Sequence, residues 1–143
     1  MTGGPTEEEL DLLRQSFEWA RAGDVARVSQ LLTMGAPPNL TNDRGDSLLI
    51  LAAHHRQEDM VRLLLEHRAD VERVNDNGQT ALGAAVFRQD RAIVDLLLAS
   101  GADPDSGPRS ARQVAEFFEL PEMAALLPAA RPEPERAVEP DRR

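Results

Sequence analysis

A repeat length of 33 residues constrains this chain more than any other feature of its sequence. The segment LLTMGAPPN begins at Leu31, LLEHRADVE begins at Leu64 and LLASGADPD begins at Leu97, each 33 residues after the previous one. Gly45 and Gly78, upstream of two of these segments, keep the same spacing. A unit of this size cannot bury its apolar face alone, so the repeat predicts a solenoid in which neighbouring units stack.

Each unit is expected to contain a turn, a helix, a second turn and a second helix. In the second unit the segment TNDRGD, which begins at Thr41, is rich in residues that form tight turns. Ser47 then stands where it can cap a helix that runs to about His55, and a second helix is expected from about Glu58.

The two helices of this unit carry different apolar residues. Val61, Leu64 and Leu65 fall at i, i+3 and i+4 on one face of the second helix, with charged residues on the other face. The first helix carries the small residues Ala52 and Ala53, which let neighbouring helices approach closely. The pattern therefore predicts an all-α stack of helix pairs.

The end units differ from the middle ones, as expected where one face of a stack meets solvent. The first unit lacks a turn segment, begins near Glu8 and has Phe17 and Trp19 at the positions of Ile50 and Ala52. The fourth unit is shortened, because Ser110 follows Thr80 by only 30 residues. Its segment SARQVAEFFELPEMAALL predicts a final helix pair, with Pro121 near the start of the second helix.

These features predict one repeat domain between two non-globular ends. The predicted ranges are a flexible N-terminus at 1–7, a repeat domain at 8–128 with units at about 8–41, 42–74, 75–105 and 106–128, and a disordered tail at 129–143. The tail is rich in proline and charge and has little to bury. It is either a solvated terminus without a role or a short recognition segment.

The motifs themselves resemble the ankyrin repeat. They are GQTALGAAV at Gly78–Val86, VRLLL at Val61, VDLLL at Val94 and GAD at Gly101. The resemblance covers about residues 8–128. It implies an all-α ankyrin-repeat solenoid of about four stacked helix-turn-helix units, joined by β-turn or hairpin fingers.

Several positions depart from the family pattern. The histidine that usually follows the T-P-L triplet is replaced by Ile50 and Gly83. Glycines usual after the first and second helices are replaced by Arg56, Gln89 and Arg68. If these positions keep a positive φ, each substitution costs up to roughly 1 kcal/mol, and the middle of the stack is less stable than a consensus stack.

Composition excludes several classes of function. The formal charge of −9 disfavours nucleic acid and anionic membranes as partners. Cysteine is absent, which excludes disulfides and thiolate sites. Without a leader pattern or a long apolar run, we expect a cytoplasmic protein. All 16 basic residues are arginine, which favours a GC-rich, bacterial genome.

The sequence contains no convincing catalytic, cofactor or metal site. The only histidines are His54, His55 and His67. The first two point about 100° apart on one helix, and the third lies at the end of another helix, so shared metal ligation is not expected. No serine lies in a G-x-S-x-G turn, and no glycine motif fits a nucleotide phosphate. We therefore predict no enzyme activity and no cofactor.

The resemblance instead implies a protein partner in a groove between the finger tips and the exposed ends of the first helices. The tips carry three aspartates against one arginine, whereas the helices are basic and aromatic. Phe87 is either a packing residue or an anchor for the partner. The candidate partner-binding residues are Arg21, Thr41, Asp43, Arg44, Asp46, His54, His55, Val74, Asp76, Asn77, Gln79, Phe87 and Arg88.

The leading hypothesis is a non-catalytic protein-binding module that acts as an adaptor, inhibitor or regulatory subunit. One alternative is a structural solenoid that assembles with itself, although the acidic charge favours a monomer in the absence of a partner. A less favoured alternative is a small enzyme that uses the region of His54 and His55. The sequence does not identify the partner.

Overall fold

A computed structural model describes residues 4–130, so parts of the predicted N-terminus (1–3) and tail (131–143) lie outside the described residues. The described range folds into eight α-helices. They are α1 (Glu7–Ala22), α2 (Val25–Thr33), α3 (Leu48–His54), α4 (Glu58–Glu66), α5 (Ala81–Phe87), α6 (Arg91–Ala99), α7 (Ala111–Phe117) and α8 (Pro121–Leu126).

The helices form two layers. In the inner layer α1 packs against α3, α3 against α5 and α5 against α7, while α2, α4, α6 and α8 form the outer layer. Each outer helix packs against the inner helix that precedes it, which gives units 1 to 4. The predicted all-α stack of helix pairs is therefore confirmed.

The inner helices of units 2 to 4 begin at the same capping position. The side-chain oxygens of Ser47, Thr80 and Ser110 each accept a hydrogen bond from the backbone N–H three residues later, at 3.1, 3.0 and 3.2 Å. Such caps satisfy backbone donors that have no partner within the helix. The cap predicted at Ser47 is confirmed.

The core follows the repeat. Val28, Val61 and Val94, three copies of one position in the outer helices, are fully buried. Ala52 and Ala53 of the inner layer are also fully buried, as are their equivalents in α5 or nearly so. Small side chains at the contacts between inner helices let these helices pack closely, as predicted from the sequence.

Four residues other than glycine have a positive φ in the turns that follow helices. The values are 59° at Arg56, 65° at Arg68, 56° at Gln89 and 54° at Glu119. The first three confirm the expectation for substituted family glycines, and Glu119 repeats the feature in unit 4. A side chain with a Cβ is strained in this region, so each position costs stability.

Three fingers connect the units: residues 41–47, 74–80 and 104–110. Asn42 Oδ1 accepts the N–H groups of the residues two and four positions later, both at 2.9 Å, and Asn75 repeats this arrangement. Thr41 also forms an antiparallel bridge with Ser47. The fingers are thus tight turns organised by one asparagine each in the first two cases.

Backbone hydrogen bonds join each finger to the next. The N–H of Asp76 donates to the oxygen of Arg44 over 3.0 Å, and the N–H of Arg109 donates to the oxygen of Gly78 over 3.1 Å. These bonds fix the spacing of the three fingers along one edge of the stack.

The described range begins and ends close to the predicted limits of the repeat domain. Thr6 and Glu9 form a capping box at the start of α1, so Thr6 and Glu7, in the segment predicted to be flexible, begin this helix. At the other end α8 stops at Leu126, and the oxygen of Pro128 accepts a hydrogen bond from Arg112. Among residues 4–130 no helix is long and apolar enough to cross a bilayer.

Candidate partner-binding groove

Five aromatic rings form a continuous row across the C-terminal ends of the inner helices. Ring centroids are separated by 5.5 Å between His55 and His54, 6.3 Å between His54 and Phe87, 5.1 Å between Phe87 and Phe118, and 4.9 Å between Phe118 and Phe117. We call these five residues the aromatic row. It joins units 2, 3 and 4 on one surface.

The phenylalanines of the row are exposed. Phe87, Phe118 and Phe117 keep 46%, 48% and 80% of their surface accessible to solvent, although a folded chain normally buries such side chains. Edge-to-face contacts between rings stabilise the row itself. The outer faces of the rings remain available to a partner.

Phe117 and Phe118 were not among the residues predicted for the groove. A spacing of 33 residues from Phe87 leads to Leu120, past the end of α7, whereas the 30-residue offset between Thr80 and Ser110 leads to Phe117. The signal was therefore present in the shortened finger. Applied to Arg88, the same offset leads to Phe118.

Arg88 connects two units beside the row. Its Nη1 donates a hydrogen bond to the backbone oxygen of His54 over 2.6 Å. Arg56, at the end of the same inner helix, pairs with Asp90 of unit 3 over 3.3 Å. Both arginines thus help to hold the inner helices of units 2 and 3 in register.

The environment of His54 favours its neutral form. Partial burial of the ring lowers the pKa of His54 below its ordinary value of 6.5, and the charges of His55 and Arg88 lower it further. The carboxylate of Asp46 acts in the opposite direction. This influence places the first finger within electrostatic reach of the aromatic row.

The predicted groove residues on the helices do not all come together. His54, His55 and Phe87 belong to the aromatic row, and Arg88 lies beside it. Arg21 instead pairs with Glu18 of its own helix. The row therefore occupies units 2 to 4 rather than the whole stack.

The predicted finger residues divide into exposed tips and partly buried supports. The exposed set is Thr41, Asp43, Arg44, Asp76 and Asn77, and the partly buried set is Asp46, Val74 and Gln79.

Asn75, which sequence reasoning missed, holds two of the supporting side chains. Its Nδ2 donates to Asp46 over 2.8 Å and to Gln79 over 3.0 Å. Asn75 is buried and links the first finger to the second. Its repeat equivalent Asn42 is the only clue that the sequence offers.

The third finger reaches the end of the aromatic row. Arg109 of this finger and Gln113, Val114, Phe117 and Phe118 of unit 4 line one open pocket of about 430 Å³. We call it the end pocket. Finger and inner-helix residues therefore share one surface at this end of the stack.

The described residues offer contact surfaces rather than reaction chemistry. Within residues 4–130 no group of three histidine or acidic side chains is arranged to hold a metal ion. The carboxylates of Asp43 and Asp76 are exposed at finger tips. Exposed charge beside an exposed aromatic row is an arrangement suited to recognition of a macromolecule.

Comparison with known proteins places this arrangement among repeat proteins. A family model described as ankyrin repeats, in three copies, matches residues 17–107. A Pseudomonas aeruginosa protein named for its ankyrin repeats is 48% identical over 68 residues, which cover 44% of this chain and 39% of that protein.

Two further relatives show the same partial coverage. An ankyrin repeat-containing protein of Treponema pallidum is 38% identical over 111 residues, covering 75% of this chain and 37% of that protein. The human B-cell lymphoma 3 protein is 39% identical over 83 residues, covering 55% of this chain and 18% of that protein. The chain thus spans less than two fifths of the length of these relatives.

Proposed function

Because the chain belongs to the ankyrin-repeat family, whose members generally mediate protein–protein interactions, we propose that it binds a partner protein in the groove. Its role would be that of an adaptor, an inhibitor or a regulatory subunit without catalytic activity. The contacts would come from the finger tips and the aromatic row.

The exposed ring of Phe87 is the observation that carries this proposal. Phe87 lies in the middle of the aromatic row, between His54 and Phe118, and nearly half of its surface meets solvent. Aromatic residues dominate the few positions that supply most of the energy at protein interfaces. A partner that covers Phe87 would remove this apolar surface from water.

Charge supports a partner with two different edges. Asp43 and Asp76 are exposed on the fingers, whereas Arg88 lies on the helical side of the groove. A basic edge of the partner would face the fingers, and an apolar or acidic ridge would face the aromatic row. Such complementarity chiefly sets specificity and the rate of encounter.

A pull-down from a lysate of the source organism tests the proposal. Wild type is compared with a variant that carries Asp43→Arg, Asp76→Arg and Phe87→Ala, after circular dichroism shows that both are folded. A matched control carries two charge reversals and one apolar truncation outside the groove, Glu66→Arg, Asp95→Arg and Met34→Ala, at exposed positions.

The expected result is a protein retained by wild type and by the control but lost by the groove variant. The retained protein would then be purified and its affinity for all three chains measured. Equal retention by all three chains, or by none, would exclude the groove as the binding surface.

We also propose that the protein is a cytoplasmic monomer when no partner is bound. The charge of −9 opposes association of identical copies at moderate ionic strength. Light scattering across a range of protein concentrations tests the oligomeric state. A mass that rises with concentration would favour the self-assembling solenoid instead.

A further inference from the structure

The end pocket has an apolar wall. Val114, Phe117 and Phe118 form this wall, and Phe117 is 80% exposed. Among the described residues α7 packs against α5 and α8, and no further inner helix covers its other face. The volume of about 430 Å³ lies in the range of ligand pockets in proteins, so one large apolar side chain can enter.

The other side of the end pocket carries a cation. Arg109 is exposed on the third finger, and the hydrogen bond from its backbone N–H to the oxygen of Gly78 fixes its position. Its guanidinium makes no ion pair and no hydrogen bond within residues 4–130. A planar guanidinium with free donors is suited to a carboxylate, which it can bind through two parallel hydrogen bonds.

Gln113 adds a neutral donor between the cation and the rings. Its Oε1 accepts a hydrogen bond from the backbone N–H of Ser110 over 3.2 Å, as part of the capping box of α7. Because the oxygen is engaged, Nε2 is the end of the side chain that remains able to donate. The capping interaction therefore orients the amide for an acceptor in the end pocket.

From this combination we propose that the end pocket binds an acidic segment of the partner protein. One large apolar side chain packs against Phe117, Phe118 and Val114, and a neighbouring carboxylate pairs with Arg109 and accepts from Gln113. The inference rests on the proposed function, because the end pocket continues the aromatic row and extends the groove. It specifies the chemistry of one part of the partner.

Charge complementarity distinguishes this occupant from other apolar segments. An uncharged segment would cover Arg109 and leave its guanidinium desolvated without a partner, which is costly. The net charge of −9 repels acidic segments at long range, so the affinity depends on the local pair. A carboxylate at this position satisfies Arg109 and leaves the apolar contact intact.

A double-mutant cycle with two short peptides tests the proposal. The probes are acetyl-Ala-Phe-Glu-Ala-amide and its isosteric form acetyl-Ala-Phe-Gln-Ala-amide, titrated into the 15N-labelled full chain. We expect the Glu peptide to bind about tenfold more tightly than the Gln peptide, as for a hydrogen bond to a charged group. Arg109→Gln should abolish this preference, and Phe117→Ala should weaken both peptides alike.

Two matched variants control for nonspecific effects. Arg44→Gln removes an exposed arginine from the first finger, and Met34→Ala truncates an apolar side chain that is 68% exposed outside the groove. Both should bind the peptides as wild type does. Amide shifts should concentrate at 109–118.

Several outcomes would overturn the proposal. They are equal affinity for the two peptides, a preference that survives Arg109→Gln, or no binding at the highest soluble concentration. Shifts of the signals at 113–118 with protein concentration alone would instead identify a second copy as the occupant. None of the residues changed in the groove variant lines the end pocket, so the proposed function and this inference can fail separately.

Discussion

The side chain of Gln57 donates a hydrogen bond through Nε2 to the backbone oxygen of Arg21 over 2.8 Å. Gln57 stands at the N-cap of α4, the position where Asp24 and Asp90 cap α2 and α6 through their own carboxylates. It makes no such cap bond. A Cβ at Gly23 would overlap the Gln57 side chain, so the glycine leaves room for this link between units 1 and 2.

Gln57→Ala is therefore expected to weaken the attachment of unit 1. The loss of one partly buried hydrogen bond should lower the free energy of unfolding by about 1 kcal/mol. Urea denaturation measures this change, and hydrogen exchange should accelerate most in α1. Gln15→Ala is the control, because Gln15 bonds Asp11 on the exposed surface of a single helix. An equal effect of the two substitutions would argue against a link between units.

Arg68→Gly is expected to stabilise the protein. Arg68 is exposed and has a φ of 65°, a conformation that glycine adopts without the strain of a Cβ. The gain is at most about 1 kcal/mol, which corresponds to a few degrees in Tm. Gln89→Gly should behave similarly, since Gln89 is also exposed and has a φ of 56°.

Two further substitutions make this series specific. Arg56→Gly should gain less than Arg68→Gly, because Arg56 shares the positive φ but also pairs with Asp90. Arg62→Gly, within α4, should lower Tm, because glycine is unfavourable inside a helix and the pair with Glu58 is lost. Thermal unfolding followed by circular dichroism measures all four. A clear drop in Tm for Arg68→Gly would reveal a stabilising contact of its side chain.

Acidification is expected to destabilise the fold through His54. The folded state lowers the pKa of His54 below 6.5, first through partial burial and then through His55 and Arg88. The unfolded chain therefore takes up the proton at a higher pH than the folded chain. The contribution of His54 is fully present above its unfolded pKa and is lost as the pH falls through its folded pKa.

Denaturation measured between about pH 7 and about pH 5 checks this expectation. His54→Gln should show a shallower loss of stability over that interval than wild type. An NMR titration of the imidazole gives the folded pKa directly. A midpoint for His54 at or above 6.5 would contradict the proposed environment of the ring.

The regular part of the fold could be read from the sequence because each local signal recurs in register. Ser47 and Thr80 occupy one repeat position and cap two inner helices in the same way. Arg56 and Gln89 occupy another, and both have a positive φ. Repetition converts a weak local signal into a strong one, since a unit must stack on copies with the same geometry.

The candidate site was only partly predictable because it depends on where the register changes. His54 and Phe87 obey the 33-residue spacing, and the sequence identified both. Phe117 and Phe118 follow a finger that is three residues shorter, so the same spacing overshoots them. Arg109 on that finger and Asn75 within the second finger also escaped prediction, because their roles depend on contacts between units.

The sequence by itself determined the period, the helices, their caps and the positions of strained turns, because these depend on interactions within a few residues or between identical units. Tertiary structure decided which side chains meet across units. Phe87 touches Phe118, Gln57 reaches Arg21 and Arg109 stands beside Phe117 only after the helix pairs have stacked. These contacts join residues about 30 positions apart or lie at the end of the stack, where no neighbouring copy repeats them.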